Sequence, residues 1–227
     1  MKKAIALVSS AAPFSRVLEE EFEVIHMPHD CEIDLPVSTH PDMVCTAVGE
    51  RIFFPKSYAE RYPSVVEKIS SLSGLEPVLS TSPRGKKYPL DVSLNTAVIG
   101  NTLLCRRASA SSELLVYAQS LGMTVLDTKQ GYAGCSCLVC ENHVYTGDRG
   151  ISALLEKHGI DCTLVREGIV LDGYDCGFIG GCGGYFDGKT YLYGSQHGEY
   201  PNCVDLADGR LHDYGGIKFL PINELWR

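Results

Sequence analysis

Two cysteines and a histidine in the second half of the chain have the side chains best suited to nucleophilic and acid–base chemistry. Cys182 lies in the glycine-rich segment FIGGCGG, where backbone N–H groups can stabilise a thiolate. Cys135 lies in the segment GCSCLVC. His197 follows the Cys182 segment on a predicted loop, and His40 is the second candidate for a general acid or base. The sequence therefore predicts Cys182 or Cys135 as a nucleophile and His197 as its acid–base partner.

Carboxylates and amides supply candidate groups for binding a substrate. Asp42 and Asp91 each come shortly after a proline, and either could hold a cation or cap the loop before a strand. Asp213 precedes a glycine pair and either caps that turn or faces a binding site. The other predicted substrate-binding residues are Asn95 and Ser136.

The cysteines also fit structural roles. The chain has 10 cysteines in 227 residues, and most are expected to be reduced, buried, small apolar residues. Cys135, Cys137 and Cys140 have a spacing found in metal sites, but on a strand Cys140 would face away from the other two. The sequence therefore predicts neither a metal nor a cofactor.

Charge and hydropathy exclude several classes of function. A net charge of −8 and the lack of basic runs argue against nucleic-acid binding, which needs clustered Lys and Arg. No stretch approaches the roughly 20 apolar residues of a membrane span. The apolar segment 4–8 is interpreted as a strand rather than part of a secretion signal, because a glutamate-rich amphipathic segment follows at once. We therefore expect a cytoplasmic protein with a small-molecule ligand and neither a nucleic-acid nor a membrane partner.

A repeated supersecondary unit must position these side chains. About every 45 residues a helix ends at a glycine, and a strand, a tyrosine, a longer strand, a tight turn and a return strand follow. The helix-ending residues are Gly74, Gly122 and Gly159, the tyrosines are Tyr88, Tyr132 and Tyr174, and the turns are Gly49-Glu50, Gly100-Asn101, Glu141-Asn142 and Asp187-Gly188. The last copy is degenerate, with a predicted hairpin from Asn202–Leu206 and Leu211–Asp213 but no helix.

Strand alternation predicts which side chains of the copies share a face. Counting back from each turn in steps of two selects polar or small residues within otherwise apolar strands. A bulge would place Cys135 on this face instead of Ser136. If the strands surround a common centre, the selected residues line one polar pocket. They are Asp42, Asp91, Ser93, Asn95, Ser136 and Cys182.

The sequence resembles the pentein fold of the guanidino-group modifying enzymes. The similarity is carried by HPDM (40–43), YPLDVSLN (88–95), QGYAGCS (130–136), GFIGG (177–181) and LHDYGGI (211–217). These segments resemble a family that is assigned to this fold and has no established reaction. The resemblance implies an α/β fold, a five-bladed pseudosymmetric α/β propeller with a degenerate last blade, formed by residues 1–227 as one domain.

The resemblance also implies a chemistry. In the arginine deiminases, agmatine deiminases, dimethylarginine hydrolases and amidinotransferases, a cysteine thiolate attacks an amidine carbon, a histidine moves protons and carboxylates hold the cation. The resemblance therefore implies a thiol-dependent hydrolase or transferase that acts on a small guanidine- or amide-bearing substrate. These enzymes have their cysteine in the last repeat, where this chain has Asp213-Tyr214-Gly215-Gly216. The alternative is a binding protein without amidine chemistry, since the same fold also serves a ribosome-subunit anti-association factor.

Overall fold

Five three-stranded sheets account for the strands in the computed structural model, which describes residues 2–13, 15–165, 168–195 and 200–223. The strands are β1 (Ile5–Ser9), β2 (Glu23–Met27), β3 (Thr46–Val48), β4 (Arg51–Pro55), β5 (Glu76–Ser80), β6 (Ala97–Ile99), β7 (Thr102–Cys105), β8 (Thr124–Asp127), β9 (Cys137–Cys140), β10 (His143–Thr146), β11 (Cys162–Leu164), β12 (Gly183–Phe186), β13 (Lys189–Leu192), β14 (Cys203–Asp205) and β15 (Lys218–Leu220).

All five sheets have the same pairing pattern. The orders are β15-β1-β2, β3-β4-β5, β6-β7-β8, β9-β10-β11 and β12-β13-β14. In each sheet the middle strand pairs antiparallel with the first strand and parallel with the third. We call β15, β3, β6, β9 and β12 the inner strands. Strand β9 lies beside both β6 and β12, and β12 also lies beside β15.

In four sheets of the described part of the chain, helices connect the middle strand to the third strand, which we call the outer strand. These connections contain the helices Arg16–Glu21, Pro63–Ser73, Ser112–Ser120 and Arg149–Lys157. Their apolar faces pack on the sheets, as Val66 and Ile69 do. None of these helices is long and apolar enough to cross a membrane. The helices are α1 (Arg16–Glu21), α2 (Pro41–Val44), α3 (Lys56–Arg61), α4 (Pro63–Ser73), α5 (Ser112–Ser120), α6 (Ala133–Ser136) and α7 (Arg149–Lys157), with 3₁₀ helices at Leu35–Val37 and Ile179–Cys182.

The turns and helix ends predicted from the repeat are confirmed. The backbone is left-handed at Glu141 (φ 54°) and Asp187 (φ 48°), where tight turns join antiparallel strands. The three helix-ending glycines have φ between 70° and 74°, a conformation that glycine adopts without steric cost. Ser111 and Asp148 cap α5 and α7 by accepting hydrogen bonds from backbone N–H groups.

The fifth sheet differs from the predicted degenerate copy. Strand β15 pairs with β1, so residues from both ends of the chain complete a full three-stranded sheet. The predicted hairpin is wrong, because Cys203–Asp205 is the outer strand of the fourth sheet and His212 makes only an isolated bridge with Val170. The fully buried strand β1 needs partners on both edges, and β15 supplies the second one.

The prediction that Asp42, Asp91, Ser93, Asn95, Ser136 and Cys182 lie on strands is also wrong. Asp42 lies on α2, Ser136 on α6 and Cys182 on a 3₁₀ helix, and each short helix leads into an inner strand. Asp91, Ser93 and Asn95 lie in the turns before β6. Pro41 explains one case, because proline has no N–H for a strand ladder but fits the first turn of a helix. The polar residues therefore lie at the ends of the inner strands.

Candidate active site

A cavity of about 260 Å³ contains Cys135, and we call it the Cys135 cavity. Its polar lining includes the side chains of His40 and Asp213, which lie just before α2 and in the turn before β15. Apolar side chains form much of the remaining wall. They include Met43, Tyr132 and Phe178.

Asn95 fixes the backbone and the thiol of Cys135. The Asn95 side-chain oxygen accepts hydrogen bonds from the backbone N–H groups of Gly134 (2.8 Å) and Cys135 (3.1 Å). Its amide nitrogen donates to the Cys135 sulfur at 3.0 Å and to the Asp42 backbone oxygen at 3.2 Å. Asn95 is 1% exposed, so these contacts are made without competition from solvent. One amide thus connects α2, α6 and the turn before β6.

Asp42 places a carboxyl group beside the Cys135 thiol. Neither carboxyl oxygen of Asp42 has a hydrogen-bond partner of normal geometry among the described residues, although the thiol is close enough to interact with it. Burial raises the pKa of Asp42 to about 7. The negative charge of the nearby Asp213 also raises this pKa, whereas the positive charge of Lys218 lowers it. An unpartnered buried carboxylate is costly, and a bound cation would relieve that cost.

His40 and Asp213 form a second buried polar pair in the cavity wall. The Nδ1 atom of His40 lies 3.8 Å from an Asp213 oxygen, beyond hydrogen-bond distance. Asp213 accepts hydrogen bonds from the backbone N–H groups of Phe178 and Gly215, both at 2.9 Å. Burial raises the pKa of Asp213 to about 6 and lowers the pKa of His40 to about 4. The imidazole is therefore neutral at neutral pH and able to accept a proton.

The Cys135 thiol is protonated at rest. Burial raises its pKa well above the usual value, the carboxylates of Asp42 and Asp213 raise it further, and the amide of Asn95 partly offsets them. A positive charge bound between the thiol and these carboxylates would lower the thiol pKa. The site is thus arranged so that a cationic ligand would itself favour the thiolate.

Asp91 contacts the cavity through Tyr132 rather than directly. The Tyr132 hydroxyl donates to an Asp91 oxygen at 2.6 Å, and the second oxygen of this buried carboxyl has no partner among the described residues. Burial raises the pKa of Asp91, and the hydrogen bond from Tyr132 partly offsets it. Asp91 therefore holds an aromatic side chain of the wall in place.

The remaining candidates from the sequence do not line the Cys135 cavity. Cys182 is 0% exposed, packs among apolar residues such as Leu138 and Ile179, and donates from its sulfur to the Phe178 backbone oxygen at 3.3 Å. Ser136 is buried, and its hydroxyl has no partner among the described atoms. His197 lies outside the described residues.

A second cavity lies among the inner strands, and we call it the central cavity. It measures about 280 Å³ and is lined by parts of all five inner strands, with Asp42 and Lys218 among its side chains. Asp42 thus borders the central cavity while its carboxyl interacts with Cys135, which lines the other cavity. The two cavities approach each other at this pair.

Arg84 is a contributor to the site that the sequence did not indicate. Its side chain is only 5% exposed and forms an ion pair with the buried Asp30. Its guanidinium also donates to the Met43 backbone oxygen at 3.2 Å, which attaches the loop to α2. No local pattern distinguishes Arg84 from the neighbouring lysines, because its partners are distant in the sequence.

Solved structures of dimethylarginine dimethylaminohydrolase share this fold. A variant of that enzyme as an adduct with S-methyl-L-thiocitrulline matches with a TM-score of 0.55 and 9% identity, covering 90% of this chain and 92% of that chain. A mutant of the Pseudomonas aeruginosa enzyme with citrulline matches with a TM-score of 0.53 and 9% identity, covering 91% and 93%. The expected resemblance to the pentein-like fold of guanidino-modifying enzymes is therefore confirmed.

The family model described as a family of unknown function, DUF6873, matches residues 9–217, and the chain belongs to this family. No curated protein matches the chain significantly.

Proposed function

We propose that the chain is a five-bladed α/β propeller whose Cys135 cavity binds a small amidine- or guanidine-bearing cation and hydrolyses it or transfers its amidino group. Five sheets of one pairing pattern, with neighbouring inner strands in contact, support the propeller arrangement. The pairing of β1 with β15 supports a single domain over residues 1–227. The cytoplasmic location stays a prediction.

One observation carries the functional proposal: a thiol, a neutral imidazole and two buried carboxyls with raised pKa values lie around one small site. Cys135 would be the nucleophile, and His40 takes the acid–base role predicted for His197. Asp42 and Asp213 would hold the cation, since planar amidinium groups with forked donors pair well with carboxylates. Asn95 would position the sulfur.

The proposed reaction has two stages. The Cys135 sulfur bonds to the amidine carbon, its proton passes to His40, and the leaving amine takes that proton as its C–N bond breaks. Water, or an acceptor amine in a transferase, then adds to the same carbon and gives a proton to His40. The C–S bond breaks, the thiol recovers its proton, and a urea or amide product leaves when water is the acceptor.

A matched pair of alkylating reagents tests this proposal. Chloroacetamidine is a cation, whereas chloroacetamide is its neutral analogue with the same leaving group. We expect chloroacetamidine to modify Cys135 at least about tenfold faster than chloroacetamide, because the reagent's charge is attracted by the carboxylates and lowers the thiol pKa. Peptide mapping by mass spectrometry gives the rate at each cysteine, and the exposed Cys31 serves as the internal control.

Two outcomes would contradict the proposal. In the first, Cys135 shows the same rate ratio for the two reagents as Cys31. In the second, the Asp42→Asn variant keeps the full preference of Cys135 for the cationic reagent, which would mean that the carboxylate does not recruit the charge. Cys135→Ser is the control for peptide assignment.

The second candidate function is a binding protein without catalysis. It is favoured by the raised pKa of the Cys135 thiol, because a neutral thiol is a weak nucleophile. In that case cationic amidines would raise the melting temperature of the wild-type protein and also of Cys135→Ser. Chloroacetamidine would not modify Cys135 faster than it modifies Cys31.

A further inference from the structure

The charge of the Cys135 cavity limits what a substrate can carry besides its amidine group. The cavity is lined by two aspartates, Asp175 and Asp213, and by the neutral side chain of His40. A third aspartate, Asp42, interacts with the Cys135 thiol. No lysine or arginine lines the cavity among the described residues. A substrate carboxylate would therefore meet negative charge without a cationic partner, which is unfavourable in a site of low dielectric constant.

Most of the other side chains that line the Cys135 cavity are apolar or aromatic. The rings of Tyr132 and Phe178 stack with centroids 5.9 Å apart and an interplanar angle of 27°. Tyr88 also packs against Tyr132, with its centroid 5.7 Å from that of Tyr132. The Tyr132 hydroxyl is already engaged by Asp91, so the ring offers the cavity mainly its apolar surface. Met43 and Leu171 also belong to this lining.

Resting on the proposed function, we propose that the preferred ligands of the Cys135 cavity are amidines or guanidines with an apolar substituent and no carboxylate. The amidinium lies at Asp42, Asp213 and Cys135, and the substituent packs on the wall formed by Tyr132 and Phe178. Free arginine and other amino-acid guanidines are excluded by their carboxylate. The cavity volume of about 260 Å³ admits a small molecule of this kind.

Three ligands with one scaffold separate the contributions of charge and apolar surface. Benzamidine carries the cation on an apolar ring, benzamide is its neutral analogue, and 4-carboxybenzamidine adds the carboxylate. Calorimetric titration of the wild-type protein, with arginine as a fourth ligand, gives the dissociation constants. We expect benzamidine to bind at least about tenfold more tightly than each of the other three.

Each alternative result overturns a different statement. If 4-carboxybenzamidine or arginine binds as tightly as benzamidine, the exclusion of carboxylates is wrong while the proposed function stands. If benzamide equals benzamidine, the cation site itself is wrong, and with it the proposed function. If none of the four binds, the substrate class is wrong, and the proposed function is judged separately by the labelling of Cys135 with chloroacetamidine.

Two variants locate the effect in this cavity. Asp175→Arg places a cation at an exposed position of the cavity lining. We expect this variant to reduce the ratio of the dissociation constants of 4-carboxybenzamidine and benzamidine by about tenfold. Asp208→Arg is the matched control, because Asp208 is also exposed but lines neither cavity.

Phe178→Leu tests the apolar contact. It should weaken the binding of benzamidine about two- to tenfold and leave the binding of methylguanidine nearly unchanged, since only the ring contact is lost. Equal effects of both arginine variants, or of Phe178→Leu on both ligands, would overturn the assigned orientation.

Discussion

The unpartnered carboxyl of Asp42 should make the ligand-free protein less stable as pH rises. Its pKa is 3.8 in an exposed environment and about 7 in the fold, where burial is the main cause. Between these values the folded state binds a proton that the unfolded state has released. Stability therefore falls as pH increases from about 4 to about 7, and it remains low above that range.

Replacing Asp42 with Asn removes this titration and keeps the shape of the side chain. A shift of about 3 pKa units at roughly 1.4 kcal/mol per unit gives an upper value of about 4 kcal/mol. Asp42→Asn should therefore be up to about 4 kcal/mol more stable than wild type at pH 8, and nearly equal to it at pH 4. The remaining pH dependence of the variant should include two opposed contributions: the raised pKa of Asp213 lowers stability as pH increases from about 4 to about 6, and the lowered pKa of His40 raises stability as pH increases from about 4 to about 6.5.

Urea unfolding at several pH values between 4 and 8 measures this difference through the transition midpoint, provided that the slope is the same for both proteins. Asp30→Asn is the matched control, for which we expect a loss of stability instead of a gain. Asp30 is fully buried but paired with Arg84, so its removal leaves a buried cation and should cost about 3–5 kcal/mol. The reasoning is refuted if Asp42→Asn is no more stable than wild type at pH 8, or if both proteins lose stability equally between pH 5 and pH 8.

Three further outcomes test the surrounding contacts. Asn95→Leu should destabilise the fold by about 2–4 kcal/mol in urea unfolding, because one buried and one partly buried backbone N–H group lose their acceptor; an unchanged midpoint would contradict this. Gly181→Ala should cost at least about 1–3 kcal/mol, since a Cβ atom there would lie 1.8 Å from an Asp213 oxygen, and Gly147→Ala should cost less, because its backbone is not left-handed and the nearest atom to an added Cβ would lie 3.7 Å away. Without ligand, iodoacetamide at pH 7.5 should modify Cys135 more slowly than the exposed Cys31, and Asp42→Asn should speed the Cys135 reaction because it removes a nearby negative charge.

Local signals in the sequence were sufficient to predict the repeated unit. The glycines that end helices and the tight turns at Glu141-Asn142 and Asp187-Gly188 are determined by left-handed backbone conformations, which few residue types adopt easily. The caps at Ser111 and Asp148 depend on residues only three positions away. These features are local, so a single sequence reveals them.

The arrangement of the site depends on contacts that are distant in the sequence. Strand alternation failed at Asp42 because a short helix intervenes, and the fold brings Asn95 into contact with the backbone oxygen of Asp42 rather than with its carboxyl group. The choice between Cys135 and Cys182 could not be made from sequence, because it depends on which thiol faces a cavity. The order of His197 and His40 stays a prediction, because His197 lies outside the described residues.

The pairing of β1 with β15 has a consequence for how the chain reaches this fold. Ile5 pairs with Leu220, so the fifth sheet cannot be completed until almost the whole chain has been synthesised. Until then one edge of β1 is exposed to other chains, which makes newly made protein dependent on protection from aggregation. The same closure should permit circular permutation: joining the ends near β1 and β15 and opening the Glu141-Asn142 turn would keep every sheet. It would also make the pairing of β1 with β15 local, while the pairing of β9 with β10 would become the one with the largest separation in sequence.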